Sequence, residues 1–106
     1  MAKFVLIYTG GSMAQTSEEQ AAAMAAWGTW YDGMGSAVVD WGSPFEPMAK
    51  SIASDGSISD SPVGTPASGY SVITADSLDG AVAMAKECPI IKDGGQVAVY
   101  EAHEMG

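Results

Sequence analysis

The chain has 106 residues, of which 47% are hydrophobic, and its four lysines and 13 acidic residues give a net charge of −9. A domain of this length buries only about two-thirds of its unfolded surface, so we expect one domain, residues 1–106, with a small stability margin as a monomer. The negative charge repels phosphate backbones and anionic lipids, which excludes nucleic acid and membrane surfaces as expected partners.

The chain contains a single cysteine, Cys88. It cannot form an internal disulfide, and a reducing cytoplasm is therefore the expected location. The apolar run at residues 4–7 is soon followed by Gly10 and Gly11. This run is too short for a signal peptide or a membrane-spanning helix.

The first quarter of the chain predicts a strand and a helix. Residues 4–7 are apolar at consecutive positions, which predicts a strand that is covered on both faces. Thr16 and Glu19 have the spacing of a capping box and predict a helix that runs through Met34. The apolar stripe of this helix consists of Ala23, Met24, Trp27, Trp30, Tyr31 and Met34.

A β-hairpin is predicted in the middle of the chain, after a proline-containing link. The sequence SIASDGSISD, residues 51–60, places Asp55-Gly56 between two arms of alternating polarity. This dipeptide favours a type I′ turn, which would put Ile52 and Ile58 on one face.

The remaining elements are three strands and a second helix. The strands are expected at residues 37–41, 70–75 and 96–100. The second helix should have Asp76 or Ser77 as its N-cap and should stop at Pro89. Its buried face is predicted to consist of Leu78, Ala81, Val82 and Ala85, which lie at helical spacing.

This order of elements predicts an α+β fold, a ferredoxin-like (split βαβ) sheet with a β-hairpin insert and both helices on one face. The first strand is apolar on both sides, and the sequence offers no third helix to cover the second face. We therefore expect a homodimer in which two sheets face each other.

Short motifs spread over nearly the whole chain carry a resemblance to a known family. They are KFVLIY at residues 3–8, GSPF at 42–45, the Asp55-Gly56 turn, DSPV at 60–63, Gly69-Tyr70, DSLDGA at 76–81 and Cys88-Pro89. In this order and spacing the chain resembles the YCII-related family, in the branch that carries a D-G-P-F motif. The resemblance implies a ferredoxin-like dimeric α+β barrel.

The resemblance does not carry an activity to this chain. Related YCII proteins have been proposed as enzymes because of a histidine and aspartate pair in the barrel cleft, with the histidine near the first helix. Here that region reads EEQAAAM at residues 18–24 and contains no histidine. Ser61 also replaces the glycine of the branch motif, and serine adopts positive φ less readily. Whether the chain is an enzyme is left open.

Two sets of residues are candidates for a site in the cleft. Asp60, at the end of the hairpin, is the candidate catalytic base or hydrogen-bond acceptor, and the alternative is a turn aspartate that caps backbone amides. Tyr8, Trp27 and Trp30 are candidate ligand-binding residues. A stripe at helical spacing is also typical of a core, so packing is the alternative for the two tryptophans.

His103 is a further candidate ligand-binding residue, with Glu101 two residues away. Two groups near a chain end do not make a metal site, so no metal is predicted and a solvated or interface histidine is the alternative. The Gly10-Gly11-Ser12 sequence lacks the spacing and the lysine of a phosphate-binding loop, and no cofactor is predicted.

Three hypotheses of function follow. The first is a homodimer that binds a small, largely apolar molecule in its cleft. The second is a cofactor-independent enzyme that uses Asp60 with Tyr8, Trp30 or His103, by analogy with other dimeric α+β barrels. The third is a non-catalytic structural or regulatory partner protein, which predicts an exposed apolar patch and no cleft.

Overall fold

The computed structural model describes residues 2–11 and 15–104. The elements in these residues are β1 (Ala2–Thr9), α1 (Ser17–Met34), a 3-10 helix (Gly35–Ala37), β2 (Val38–Asp40), β3 (Ser51–Ile52), β4 (Ile58–Ser59), β5 (Ala67–Ala75), α2 (Leu78–Ala85), α3 (Pro89–Lys92) and β6 (Gln96–Glu101). Four strands form an antiparallel sheet in the order β2-β5-β1-β6, and β3 and β4 form a separate hairpin. The predicted α+β class is confirmed.

The helices pack on one face of the sheet, which we call the covered face. Strand alternation turns Phe4 and Leu6 of β1 and Ile73 of β5 toward the helices, and all three are completely buried. Ala81 and Ala85 of α2 are also buried against this core. Their small side chains let the helix approach the sheet closely.

The opposite face, which we call the open face, is formed by the alternate residues of the same strands. Val5 lies opposite Val72 and Tyr100, and Ile7 lies opposite Tyr70 and Ala98. These side chains are half-buried or exposed, and Tyr100 is 61% exposed. The first strand was predicted to be covered on both faces; both of its faces are apolar, but within one chain the helices cover only one of them, and cover for the other stays a prediction.

The helix ends follow local capping chemistry. The Thr16 hydroxyl accepts a hydrogen bond from the Glu19 backbone N–H at 3.1 Å, and α1 ends at Met34, as predicted. Ser77 caps α2, its hydroxyl accepting from the Gly80 N–H at 3.0 Å. α2 ends at Ala85, and Pro89, where this helix was predicted to stop, begins the short helix α3. A proline fits the first helical turn, where its missing N–H has no intrahelical partner.

The hairpin is present, with a different turn from the one predicted. Ile52 lies opposite Ile58 as expected. The predicted type I′ turn is wrong, because no described residue other than glycine has positive φ and Asp55 is therefore not left-handed. Instead, the Gly56 N–H donates to the Ala53 carbonyl at 2.9 Å, with only Gly56 at positive φ. An Asp55 carboxylate oxygen accepts from the Ser57 N–H at 2.9 Å and fixes this geometry.

Candidate functional site

A cavity of about 640 Å³ opens at one end of the four-stranded sheet, a volume in the usual range for small-molecule sites. It lies where β1 ends and β5 begins, between α1 and the loop at residues 41–45. Six aromatic residues line it: Tyr8, Trp27, Tyr31, Trp41, Phe45 and Tyr70. Most of the remaining lining is glycine and small or apolar side chains.

Gly42 allows the 41–45 loop to form one wall of the cavity. Its φ of 76° is in the left-handed region, and a Cβ atom at this position would overlap the carbonyl oxygen of Tyr70. The loop is held on β5 by backbone hydrogen bonds from Tyr70 to Ser43 at 3.3 Å and from Phe45 to Ser68 at 2.9 Å. A side chain at residue 42 would therefore push Trp41 and Phe45 away from the sheet.

The aromatic rings around the cavity contact one another in pairs. Trp27 meets Tyr8 edge to face, with ring centroids 5.2 Å apart. Trp41 stacks on Tyr31 at 5.3 Å with an interplanar angle of 9°, and Phe45 stacks on Tyr70 at 5.7 Å. These contacts fix the orientations of the rings before any ligand arrives, which lowers the entropy cost of binding.

A buried hydrogen-bond network lies behind the rings and uses the tyrosine hydroxyl groups. Tyr8 donates to the hydroxyl of Ser71 at 2.7 Å, and Ser71, which is fully buried, donates to the Trp41 carbonyl at 2.8 Å. Tyr31 donates to the same carbonyl at 2.9 Å and lies 2.9 Å from the Ser71 hydroxyl. All three hydroxyl protons thus have partners inside the protein.

Few of the lining groups carry a charge. Burial raises the pKa of the Tyr8 phenol far above its usual range, so this phenol stays protonated even at alkaline pH. Asp93 is the one charged residue among the described lining residues, and none of these is Lys, Arg or His. The buried Ser68 hydroxyl lines the cavity and has no hydrogen-bond partner in the described chain.

The structure brings together two of the five residues named from the sequence. Tyr8 and Trp27 both line the cavity. Trp30 is in the core, where its indole N–H donates to the Met84 carbonyl at 2.9 Å, so the packing alternative describes it. Asp60 is not among the lining residues. Its side chain is 88% exposed and pairs with Lys50 at 3.1 Å.

His103 also lies apart from the cavity. It follows the end of β6, is exposed, and makes no hydrogen bond or ion pair within residues 2–11 and 15–104. Among those residues no three His, Cys, Asp or Glu side chains gather as a metal site requires. Ser12, the last residue of the glycine-rich sequence, lies outside the described residues.

Sequence reasoning missed much of the cavity wall. Trp41, Phe45 and Tyr70 lie outside the helical stripe and become neighbours of Trp27 only through the fold. The one local signal was Gly42 between Trp41 and a Pro-Phe pair, because a glycine there permits a close turn onto a neighbouring strand.

One further side chain bears on chemistry. Cys88 is completely buried, and burial raises the pKa of its thiol to about 11, which disfavours the reactive thiolate.

In the described part of the chain, no helix combines the length and the apolar character needed to cross a bilayer.

Comparison of the chain with protein-family models, curated proteins and solved structures found no match.

Proposed function

We propose that this protein binds a small, largely apolar molecule in the aromatic cavity. The observation that supports this most strongly is the combination of six aromatic residues with a hydrogen-bond network that consumes the hydroxyl protons of Tyr8 and Tyr31. Such a site offers ring surface and few polar side-chain contacts, which favours a ligand recognised by its shape and apolar area.

The family and the complete architecture are part of the same proposal. The antiparallel order β2-β5-β1-β6 with helices on one face supports a ferredoxin-like domain, which is the architecture that the resemblance to the YCII-related family implies. The unreactive single thiol of Cys88 suits a reducing cytoplasm.

We propose that two copies associate through their open faces. The face is apolar along β1 and β5, and a second copy is a complementary cover for it. Although the chain has a net charge of −9, the strand positions on this face carry one lysine, Lys3, and one acidic residue, Asp40, at the sheet edge. The open face is therefore a nearly neutral region through which two strongly acidic chains can meet without close carboxylate repulsion.

Ligand binding can be tested with N-phenyl-1-naphthylamine, a neutral fluorophore that brightens in apolar sites. Trp41 is 65% exposed, so Trp41→Leu should fold while removing one ring from the cavity. We expect wild type to bind the fluorophore and Trp41→Leu to bind it about three- to tenfold more weakly, because one aromatic contact is lost.

Tyr100→Leu is the matched control, since Tyr100 is 61% exposed but lies on the open face and outside the cavity. It should leave the affinity unchanged. A loss in Tyr100→Leu without a loss in Trp41→Leu would place the fluorophore on the open face and overturn the proposal. Asp60→Ala should also bind normally, and a loss of binding there would instead support a site at the hairpin.

A further inference from the structure

We infer that the ligand of the aromatic cavity carries a positive charge and is an organic cation of the quaternary ammonium type. This inference rests on the proposed function, since it concerns the same cavity, and it adds the chemical class of the ligand.

An anionic ligand lacks positively charged side-chain partners here. The described lining residues include no lysine, arginine or histidine, and the hydroxyl protons of Tyr8 and Tyr31 are already donated within the protein. An anion would lose its hydration on entry without gaining charged or phenolic donors. The Ser68 hydroxyl is the one buried, unpartnered polar side-chain atom in the described chain, and a single neutral donor does not replace the hydration shell of an anion.

The rings favour a cation. The face of an aromatic ring carries partial negative charge, and it attracts a cation held within about 6 Å of the ring centre. Several rings around one cavity attract the same charge together, as in the aromatic cages that bind methylated ammonium groups. A quaternary ammonium group suits these walls because it needs no hydrogen-bond acceptor and its methyl groups contact ring carbon atoms.

Two carboxylates reinforce this preference. Asp93 lines the cavity and makes no ion pair in the described chain. Asp40 does not line the cavity but directly precedes the 41–45 loop, where its carboxylate accepts from the Gly42 N–H at 2.8 Å and lies 3.4 Å from the hydroxyl of the lining residue Tyr70. With no lysine in the lining to offset them, both carboxylates make the potential in the cavity negative.

The test compares three molecules of nearly the same shape: choline, neutral 3,3-dimethylbutanol and anionic 3,3-dimethylbutanoate. Each is titrated into the wild-type protein, and binding is followed by the NMR signals of the tryptophan indole N–H groups. We expect choline to bind at least about fivefold more tightly than the alcohol, because the rings attract its charge. The carboxylate should bind most weakly, and added salt should weaken choline binding but not that of the alcohol.

Charge-matched variants locate the effect. Asp93→Asn removes a carboxylate from the cavity and should reduce the preference for choline over the alcohol about two- to threefold, the range of a single partly solvated charge interaction. Asp60→Asn removes a carboxylate that is not in the cavity and should leave the preference unchanged. Trp41→Leu should reduce the preference, whereas Trp41→Phe, which keeps a ring, should largely restore it.

The outcomes separate this inference from the proposed function. If the alcohol binds as tightly as choline, or if neither binds while N-phenyl-1-naphthylamine does, the cavity is an apolar site and the cation inference is wrong. If the neutral fluorophore also fails to bind, the proposed function is overturned with it. Equal losses of the preference in Asp93→Asn and Asp60→Asn would attribute it to net charge and would likewise overturn the inference.

Discussion

The two faces of the four-stranded sheet are built from the same strands but have different surroundings. On the covered face, Leu6 and Ile73 are completely buried beneath the helices. On the open face, their neighbours Ile7 and Val72 are only half-buried, although they are equally apolar. Helices from one chain therefore cover half of the apolar surface that its strands present.

This difference supports the proposed division of roles within one chain. The aromatic cavity opens beside the covered face, where Tyr8 and Trp27 meet, and its wall is completed by the 41–45 loop. The open face has half-buried apolar side chains, with no comparable network of buried hydroxyl groups among the described residues. The proposed ligand binding therefore belongs to the cavity and the proposed association of copies to the open face, and Tyr70 lies where the two regions adjoin.

The largest contrast between the faces should be seen with Leu6→Ala and Ile7→Ala, which remove similar side chains from adjacent positions. Leu6→Ala should lower the free energy of unfolding by about 2–5 kcal/mol, because it leaves a cavity in a packed core. Ile7→Ala should cost only about 1 kcal/mol in a dilute, monomeric sample, because its side chain is already partly in water. Urea denaturation measures both values.

Protein concentration sharpens this comparison. If a second copy covers the open face, the cost of Ile7→Ala should increase with concentration, whereas that of Leu6→Ala should change little. Equal costs in dilute samples would contradict the assignment of a covered and an open face.

The contrast between the faces was only partly predictable. Consecutive apolar residues in β1 correctly indicated that both of its faces are apolar, and the Thr16 capping box placed α1 correctly. These are local signals. Alternation along a strand, however, does not tell which face the helices cover, and the sequence did not reveal that Pro89 would begin a helix rather than only follow one.

The cavity was less predictable because its wall depends on contacts between distant residues. Trp41 stacks on Tyr31 only because Gly42 lets the chain pass close to the backbone of Tyr70. The glycine permits such an approach, but no short-range pattern tells which strand the loop will meet. Asp60 was proposed as a site residue from its place in a motif, whereas the hairpin register, with Ser51 opposite Ser59, leads on to the Lys50–Asp60 pair that the structure shows.

A charge on the open face should prevent the proposed dimer. Val72→Asp places a carboxylate on β5, a central strand of this face. In the dimer this carboxylate would be removed from water and would face either the same residue of the second copy or apolar side chains. We expect the dissociation constant of the dimer to rise at least about a hundredfold, since burying an unpaired charge costs several kcal/mol. Sedimentation velocity over a range of concentrations measures the shift.

Val63→Asp is the matched control, since the same substitution falls on an exposed loop residue away from the sheet. It should leave association unchanged. Tyr100→Asp provides a second test on the open face at an exposed position, where folding should be unaffected. A wild-type chain that sediments as a monomer at micromolar concentrations would refute the proposed dimer.

The smallest contrast concerns one hydroxyl group on each face. Tyr8→Phe removes the hydrogen bond to Ser71 and should lower the free energy of unfolding by about 1 kcal/mol. Tyr100→Phe should change it by less than about 0.5 kcal/mol, because the exposed hydroxyl of Tyr100 has no hydrogen-bond partner in the described chain. If both substitutions lower the free energy of unfolding equally, the Tyr100 hydroxyl makes a hydrogen bond as strong as that of Tyr8, and the expected contrast between the faces is wrong.

The pH dependence of stability at alkaline pH reports on the contribution of the Tyr8 hydroxyl. Burial raises the pKa of the Tyr8 phenol in the folded chain above its unfolded value near 10. The contribution of Tyr8 to the free energy of unfolding is therefore fully present below pH 10. It is lost as the pH rises further, because only the unfolded chain then releases the proton. Tyr8→Phe should therefore lose stability less steeply than wild type above pH 10. Both proteins keep Cys88, whose pKa burial raises to about 11, so both should decline from about pH 9. Parallel declines above pH 10 in urea titrations would show that Tyr8 ionises as readily in the folded chain as in the unfolded one.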